Sequence, residues 1–398
     1  MERGCGTEGA ELCDNPRGPD FCTMATPALM IATATHRFAS ARMPRALAKA
    51  GFEPSLLTRR GSLAEQSAFL SKVGHLPDTD DPMEWVFGFA ATVKATSPRL
   101  VIPCDGAAMR FLTMLALAPP ERLDPTLHSQ LASLIRDSLG DPAHYLDSLD
   151  KTLLPPVAEA LGVAVPPYLV TAEPGEAQDF AARNGFPVVL MRGDSSGRSG
   201  LAICADSAQL SQRFTELTRD RAERLLVHAW IAGPTKVYPA AVWNGEMLVG
   251  YASTRLFTAD ETGGVPAVNR CYASPELRAM TVKLAAGFGI SGFFAPDFVV
   301  EARTGRTYLV GVNRRIVGGA HRGAAINADH WTALHAKLQG VPSPTRSDLD
   351  PGEEHACADF PQEWLRDPQS RWLREYPVDV PWDEPKLVEA MLALRRER

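Results

Sequence analysis

An apolar run that stops in a cluster of charge constrains the fold of this chain more than any other feature. Residues Tyr308–Gly319 read YLVGVNRRIVGG, a strand-like stretch ending in Asn313, Arg314 and Arg315 and then a glycine pair. Burying an amide and two guanidiniums at a strand end is costly unless something anionic or metallic meets them. The preceding run, FAPDFVVEAR, pairs with this strand as a hairpin turning at Arg303–Gly305. Strand alternation then puts Asp297, Gly311 and Asn313 on one face. An Asp carboxylate beside an Asn carbonyl oxygen suits Mg²⁺, completed by waters and phosphates. A polar strand end satisfied by local hydrogen bonds is the other reading. Glu301 shares the face but stands four residues along, roughly 13 Å away at strand rise, too far to join.

Upstream, strands alternate with helices. A run at Leu29–Thr33, a helix from about Ala39 to Ala50 closed by Gly51, a helix at Met83–Thr96 and the strand ending at Asp105-Gly106 predict a parallel, doubly wound sheet. Ligands of such sheets sit at the carboxyl ends of strands, which singles out His36, Arg37, Asp105 and Arg110; ordinary polar loop residues would look the same. Helical sequence then runs from about Pro125 to Leu161, broken at Gly140-Asp141-Pro142. A helix at Glu176–Asn184 precedes a hairpin, Pro187–Arg192 and Leu201–Cys204, around the loop GDSSGRSG. Its glycines and serines let backbone N–H groups approach a polyphosphate, and Arg198 adds charge; a bare hairpin tip would also fit. Further on come a helix at Ser207–Asp220, a turn at Asn244-Gly245, a loop at Thr258–Asn269 and a helix at Pro275–Phe288. Beyond about Pro342 the chain turns Pro- and charge-rich, a segment expected to lie over the body and end in a helix at Glu384–Arg395.

The 398 residues, 45% hydrophobic and 22% charged, have room for two or three domains of an ordinary globular protein. A net charge of -6 argues against a dedicated nucleic-acid or anionic-membrane binder. No apolar run reaches the ~18 residues of a membrane span. Seven cysteines without metal-ligand spacing point to a reducing cytoplasm. Three of them, Cys5, Cys13 and Cys22, fall in a Gly/Glu/Pro-rich stretch that reads as a disordered leader, residues 1–24.

Five motifs then occur in one order: LDKTLL (Leu149–Leu154), GVAVPPY (Gly162–Tyr168), NGFPVVLMRGDSSGRSG (Asn184–Gly200), LLVHAWIAGP (Leu225–Pro234) and the final hairpin to Ile316. Together they resemble the ATP-grasp superfamily, carbamoyl-phosphate-synthase-like and carboxylate–amine ligase members in particular. The resemblance implies a Rossmann-like pre-ATP-grasp domain over 25–120 and a two-subdomain ATP-grasp fold over 121–340, with a lid subdomain at about 165–230. A C-terminal extension over 341–398 would pack on the body. It implies ATP and Mg²⁺ as cofactors, small-molecule carboxylate and amine substrates, and ligation through an acyl-phosphate; a homodimer is compatible with it. By the same resemblance Lys151, Arg192, Gly193, Ser195, Ser196, Gly197 and Arg198 would face phosphates. His228, Ala229, Trp230 and Ile231 would form the adenine hinge. Asp297 and Asn313 would hold Mg²⁺, and Arg315, supported by Arg255, would hold the acyl-phosphate. His321 and Arg322 would be candidate holders of a substrate carboxylate, and Arg314 or Arg322 could also neutralise phosphate charge.

Three positions depart from the pattern. Met191 stands where a second phosphate lysine is usual, with Arg192 its expected substitute. His228 replaces an acidic or amide residue, and Gly311 replaces a metal-bridging glutamate. These departures keep a second function open: a degenerate member binding nucleotide or metabolite without catalysis, as a sensor or partner subunit.

Overall fold

The structure, a computed structural model, describes residues 25–79, 81–196, 199–219, 223–259 and 265–394. The leader with its three cysteines, and Gly197 and Arg198, lie outside these residues. The four described cysteines (Cys104, Cys204, Cys271 and Cys357) are free thiols.

The first sheet has four parallel strands in the order Lys72–His75, Phe52–Thr58, Thr26–Ala32, Leu100–Pro103. Its central strand buries both faces: Ala28 and Met30 enter one core, Leu29 and Ile31 another. A strand covered on both sides is what a doubly wound parallel sheet requires. The helix expected at 39–50 is interrupted at Arg42, giving Phe38–Ala41 and Met43–Lys49. Gly51 follows at φ +100, a conformation favouring glycine, and packs against the His335 ring.

The second sheet, antiparallel, runs Tyr168–Thr171, Leu225–Ala229, Val188–Ser196, Ser199–Cys204. Helices Pro174–Asn184 and Ser207–Thr218 cover one face and form its own core around Phe180, Leu190 and Phe214. Val189, Met191 and Leu226 occupy the opposite face. The hairpin strands extend farther than the sequence suggests, so Ser195 and Ser196 belong to a strand.

The third sheet has eight antiparallel strands. Gly292–Val300 lies at its centre, pairing on one side with Ala240–Trp243 and Thr235–Val237 and on the other with Thr307–Asn313. Asn244 and Gly245, at φ 48 and 79, make the tight turn the sequence announces between Ala240–Trp243 and Glu246–Gly250. The C-terminal segment does more than lie over the body. Its strand Glu354–Ala358 pairs with Pro266–Tyr272 and extends the sheet. The loop expected at 258–269 is correspondingly shorter, because its second half is strand.

Candidate functional site

The hairpin register is the foundation of the site. Asp297 pairs with Gly311, and Ala295 with Asn313, with an irregularity after Asp297. The Asn313 amide nitrogen donates to Asp297 Oδ2 at 2.7 Å and to the Ala295 carbonyl at 3.2 Å. With its N–H groups turned inward, the side-chain oxygen of Asn313 is left for other partners. Burial raises the Asp297 pKa, against the pull of Lys151, Asn313, Arg255 and Arg315. One carboxylate and one amide oxygen match the minimal protein donor set of a hydrated Mg²⁺. Among the described residues no three His, Cys, Asp or Glu side chains cluster as a larger metal nest.

Lys151 reaches this point from the turn between helices Tyr145–Leu149 and Leu154–Ala160. Its Nζ lies 3.4 Å from where a β-carbon on Gly311 would stand, and Asp297 Oδ2 lies 3.9 Å from the same point. Burial lowers the lysine pKa, and Asp297 partly restores it. The Lys151 amide donates to the Gly193 carbonyl at 2.9 Å, joining the lysine to the start of the glycine-rich hairpin tip. Gly193 must be small there: an added β-carbon would sit 2.8 Å from Asp150 Cγ.

Arg315 closes the site from the first domain's side. Burial, with Arg37 adding repulsion and Asp297 and Asp105 attraction, pushes its pKa down to about 10. Arg37 donates to the Ile316 carbonyl at 2.9 Å. Asp105 serves the fold: it accepts from Thr33, Ala34 and the Ala108 amide, holding the first strand's exit loop and capping a helix. Arg110 donates to the Asp194 carbonyl at 2.9 Å, bridging the first domain to the hairpin tip. Arg255 donates to Thr235 Oγ1 at 3.2 Å and remains near enough to favour the Asp297 charge.

Several expected residues are engaged elsewhere. Arg192, the expected substitute for the missing lysine, pairs with Glu223 at 2.7 Å and Asp194 at 3.2 Å. Met191 packs in the apolar cluster of Val189 and Leu226. Arg314 turns away from the cleft to Ser148 Oγ, the Leu139 carbonyl and the Tyr145 ring. Arg322 is buried against Asp359, and His321 Nε2–H donates to the Asp379 carboxylate at 2.6 Å, so both expected substrate holders are engaged with carboxylates of the chain itself. Both carboxylates come from the C-terminal segment, which sequence spacing could not place. Burial lowers His321 to about 4 and lifts Asp359 to about 7.

At the hinge, His228 is 8% exposed and burial lowers its pKa. With Lys151, Tyr168, Leu226, Leu309 and Val310 it lines a small pocket of about 20 Å³ between the second and third sheets. The amides of Ala229 and Trp230 already donate to the Pro167 and Pro187 carbonyls.

A four-stranded sheet facing a larger one across such a cleft, behind a parallel domain, recurs in solved structures. The biotin carboxylase–ATP-analogue complex from Campylobacter jejuni superposes with a TM-score of 0.62 at 13% identity, over 83% of this chain and 74% of that one. The biotin carboxylase domain of Hydrogenobacter thermophilus 2-oxoglutarate carboxylase, solved with MgADP and bicarbonate, gives 0.61 at 15% identity, over 84% and 74%. The chain has the ATP-grasp fold. A D-alanine–D-alanine ligase from Ectopseudomonas mendocina is 26% identical over 176 residues, 42% of this chain. The chain spans about half the length of that curated relative, 55%. No family model matches. In this chain, Lys151, Asp297, Asn313 and Arg315 come together in the cleft. No helix among its described residues is long and apolar enough to cross a membrane.

Proposed function

We propose that this protein is an ATP-dependent ligase that joins a small-molecule carboxylate to an amine-like nucleophile through an acyl-phosphate. The observation that carries this reading is the hydrogen-bonded Asp297–Asn313 pair with Lys151 and Arg315 beside it, Lys151 also lining the inter-sheet pocket. Asp297 and Asn313 would hold Mg²⁺, which when bound neutralises phosphate charge. Lys151 stands over the same point and holds the transferring phosphoryl group by its ammonium. Arg315, kept cationic in a partly buried position, holds the acyl-phosphate as its charge develops. The carboxylate oxygen attacks the γ-phosphorus and ADP leaves. The amine then attacks the acyl carbon and inorganic phosphate leaves. The solved relatives named above carry ATP-analogue and MgADP–bicarbonate ligands, which supports the same assignment of nucleotide and small acid to this cleft.

Thermal unfolding with and without ATP, each with and without Mg²⁺, tests the reading. A ligand at 100 times its Kd adds about 2.7 kcal/mol of stability. The ligase predicts a magnesium-dependent shift, then ADP release on adding pooled carboxylic and amino acids. A magnesium-independent shift without turnover would instead favour the non-catalytic binder, and no shift with any nucleotide would sink both.

A further inference from the structure

We propose that the ammonium of Lys151 takes the place of a second divalent cation, so that the cleft holds a single metal ion with each nucleotide. The inference rests on the nucleotide-binding reading above and assigns the role of the glycine at 311.

The geometry is specific. Gly311 is the direct cross-strand partner of Asp297, so a side chain there would share the face of the metal-binding pair. Its first carbon would lie 3.4 Å from Lys151 Nζ and 3.9 Å from Asp297 Oδ2. The space a carboxylate would use to bridge two cations is therefore bordered by a fixed cation. Gly311 is buried, and 3.4 Å is close but not a collision, so the glycine leaves Lys151 room. The surrounding charge agrees. Asp297 is one carboxylate facing the influence of Lys151, Arg255 and Arg315, with Arg37 close behind Arg315. Asp150 contributes toward Lys151, but its Oδ1 already accepts from the Thr152 amide and hydroxyl at 2.8 and 2.7 Å. Among the described residues Asp297 belongs to no cluster of three or more His, Cys, Asp or Glu side chains. One divalent ion can be balanced by Asp297 and the phosphates. A second would meet the lysine ammonium with no carboxylate between them.

The turn that carries the lysine is anchored by the backbone bond from Lys151 to Gly193, on the glycine-rich hairpin. A diffusible metal ion is thereby replaced by a charge covalently tied to the chain.

The test counts metal ions. Full-length protein is titrated with Mn²⁺ at saturating non-hydrolysable ATP analogue, and bound Mn²⁺ per bound nucleotide is read by electron paramagnetic resonance. The native protein should bind one. The K151M/G311E double variant, with the ammonium removed and the carboxylate supplied, should bind two. Gly311→Glu alone should stay at one, because the new carboxylate pairs with Lys151. Two Mn²⁺ per nucleotide in the native protein would overturn the proposal while leaving nucleotide binding intact. A double variant that binds the analogue but still holds one Mn²⁺ would overturn it too. Failure of the native protein to bind the analogue at all would remove the functional reading beneath it. Should the double variant not fold, the native count alone decides.

Discussion

Gly193→Ala tests the link between the glycine-rich hairpin and the phosphate lysine. The alanine β-carbon would stand 2.8 Å from Asp150 Cγ and from Asp150 Oδ2, where comfortable contact needs about 3.5 Å or more. Something must move by on the order of 1 Å, and backbone movement is resisted by the Lys151 N–H···O=C Gly193 bond at 2.9 Å. Asp150 is the softer partner, but rotating it away abandons its bonds to the Thr152 amide and hydroxyl. At about 1 kcal/mol each, losing both predicts a destabilisation of about 2 kcal/mol. Urea unfolding of four proteins measures it: native, Gly193→Ala, Asp150→Ala and the double variant. If the carboxylate is the obstacle, Gly193→Ala should cost under about 0.5 kcal/mol once Asp150 is alanine, leaving a coupling energy near the full penalty. Equal costs in both backgrounds would refute the reasoning. In the Asp150-intact background, nucleotide affinity should fall as well, because the turn that shifts carries Lys151.

Asp359→Ala should destabilise by about 3–5 kcal/mol, because it leaves the buried Arg322 guanidinium without its partner and frees the Asn269 amide bonded at 2.8 Å. Asp350→Ala, at an exposed pair with Arg346 of 3.5 Å, should change stability by less than about 0.5 kcal/mol in the same denaturation assay. His228→Gln should flatten the acid limb of the stability profile. Burial lowers the folded pKa of His228 below its ordinary 6.5, so on acidification the unfolded chain takes the proton first. That contribution is constant above about pH 6.5 and is lost as pH falls below it. The stability difference between pH 7 and pH 5 should shrink in the variant, and an unchanged difference would refute the assignment. Asp297→Ala should abolish the magnesium-dependent part of the ATP thermal shift; a shift equal to that of the native protein would remove Asp297 from the metal site.

The hairpin at Asp297 and Asn313 was legible because strand period is local and its turn sequence unambiguous. The parallel first sheet was legible for the same reason, since runs such as LMIA and LVIP bury both faces. What remained hidden depends on contacts distant in sequence. Arg314 and Arg315 are adjacent and chemically alike, yet just past the strand end at Asn313 one turns to Tyr145 and the other lies near Asp297. The fates of His321 and Arg322 were set by Asp379 and Asp359, 58 and 37 residues away, in a segment whose strand pairing carries no internal signal. Arg192 looked available because its partner Glu223 lies on the far side of a helix in sequence. The proximity of Lys151 to Gly311 joins residues 160 apart in number; motif order placed both at one site, but local periodicity does not encode their contact.

The pocket between the second and third sheets has one further consequence. At about 20 Å³ it accommodates a single water, whereas ligand pockets run to roughly 300 Å³ or more. A purine bound here, as proposed above, would reach its walls only after Tyr168, Leu226 and His228 part from Leu309 and Val310. The four-stranded sheet has its own helical cover and core, so it can swing as a unit without unfolding. On the proposed nucleotide-binding reading, capture would require the two sheets to part, so the on-rate would follow how often they separate and the affinity would carry the free energy of holding them apart.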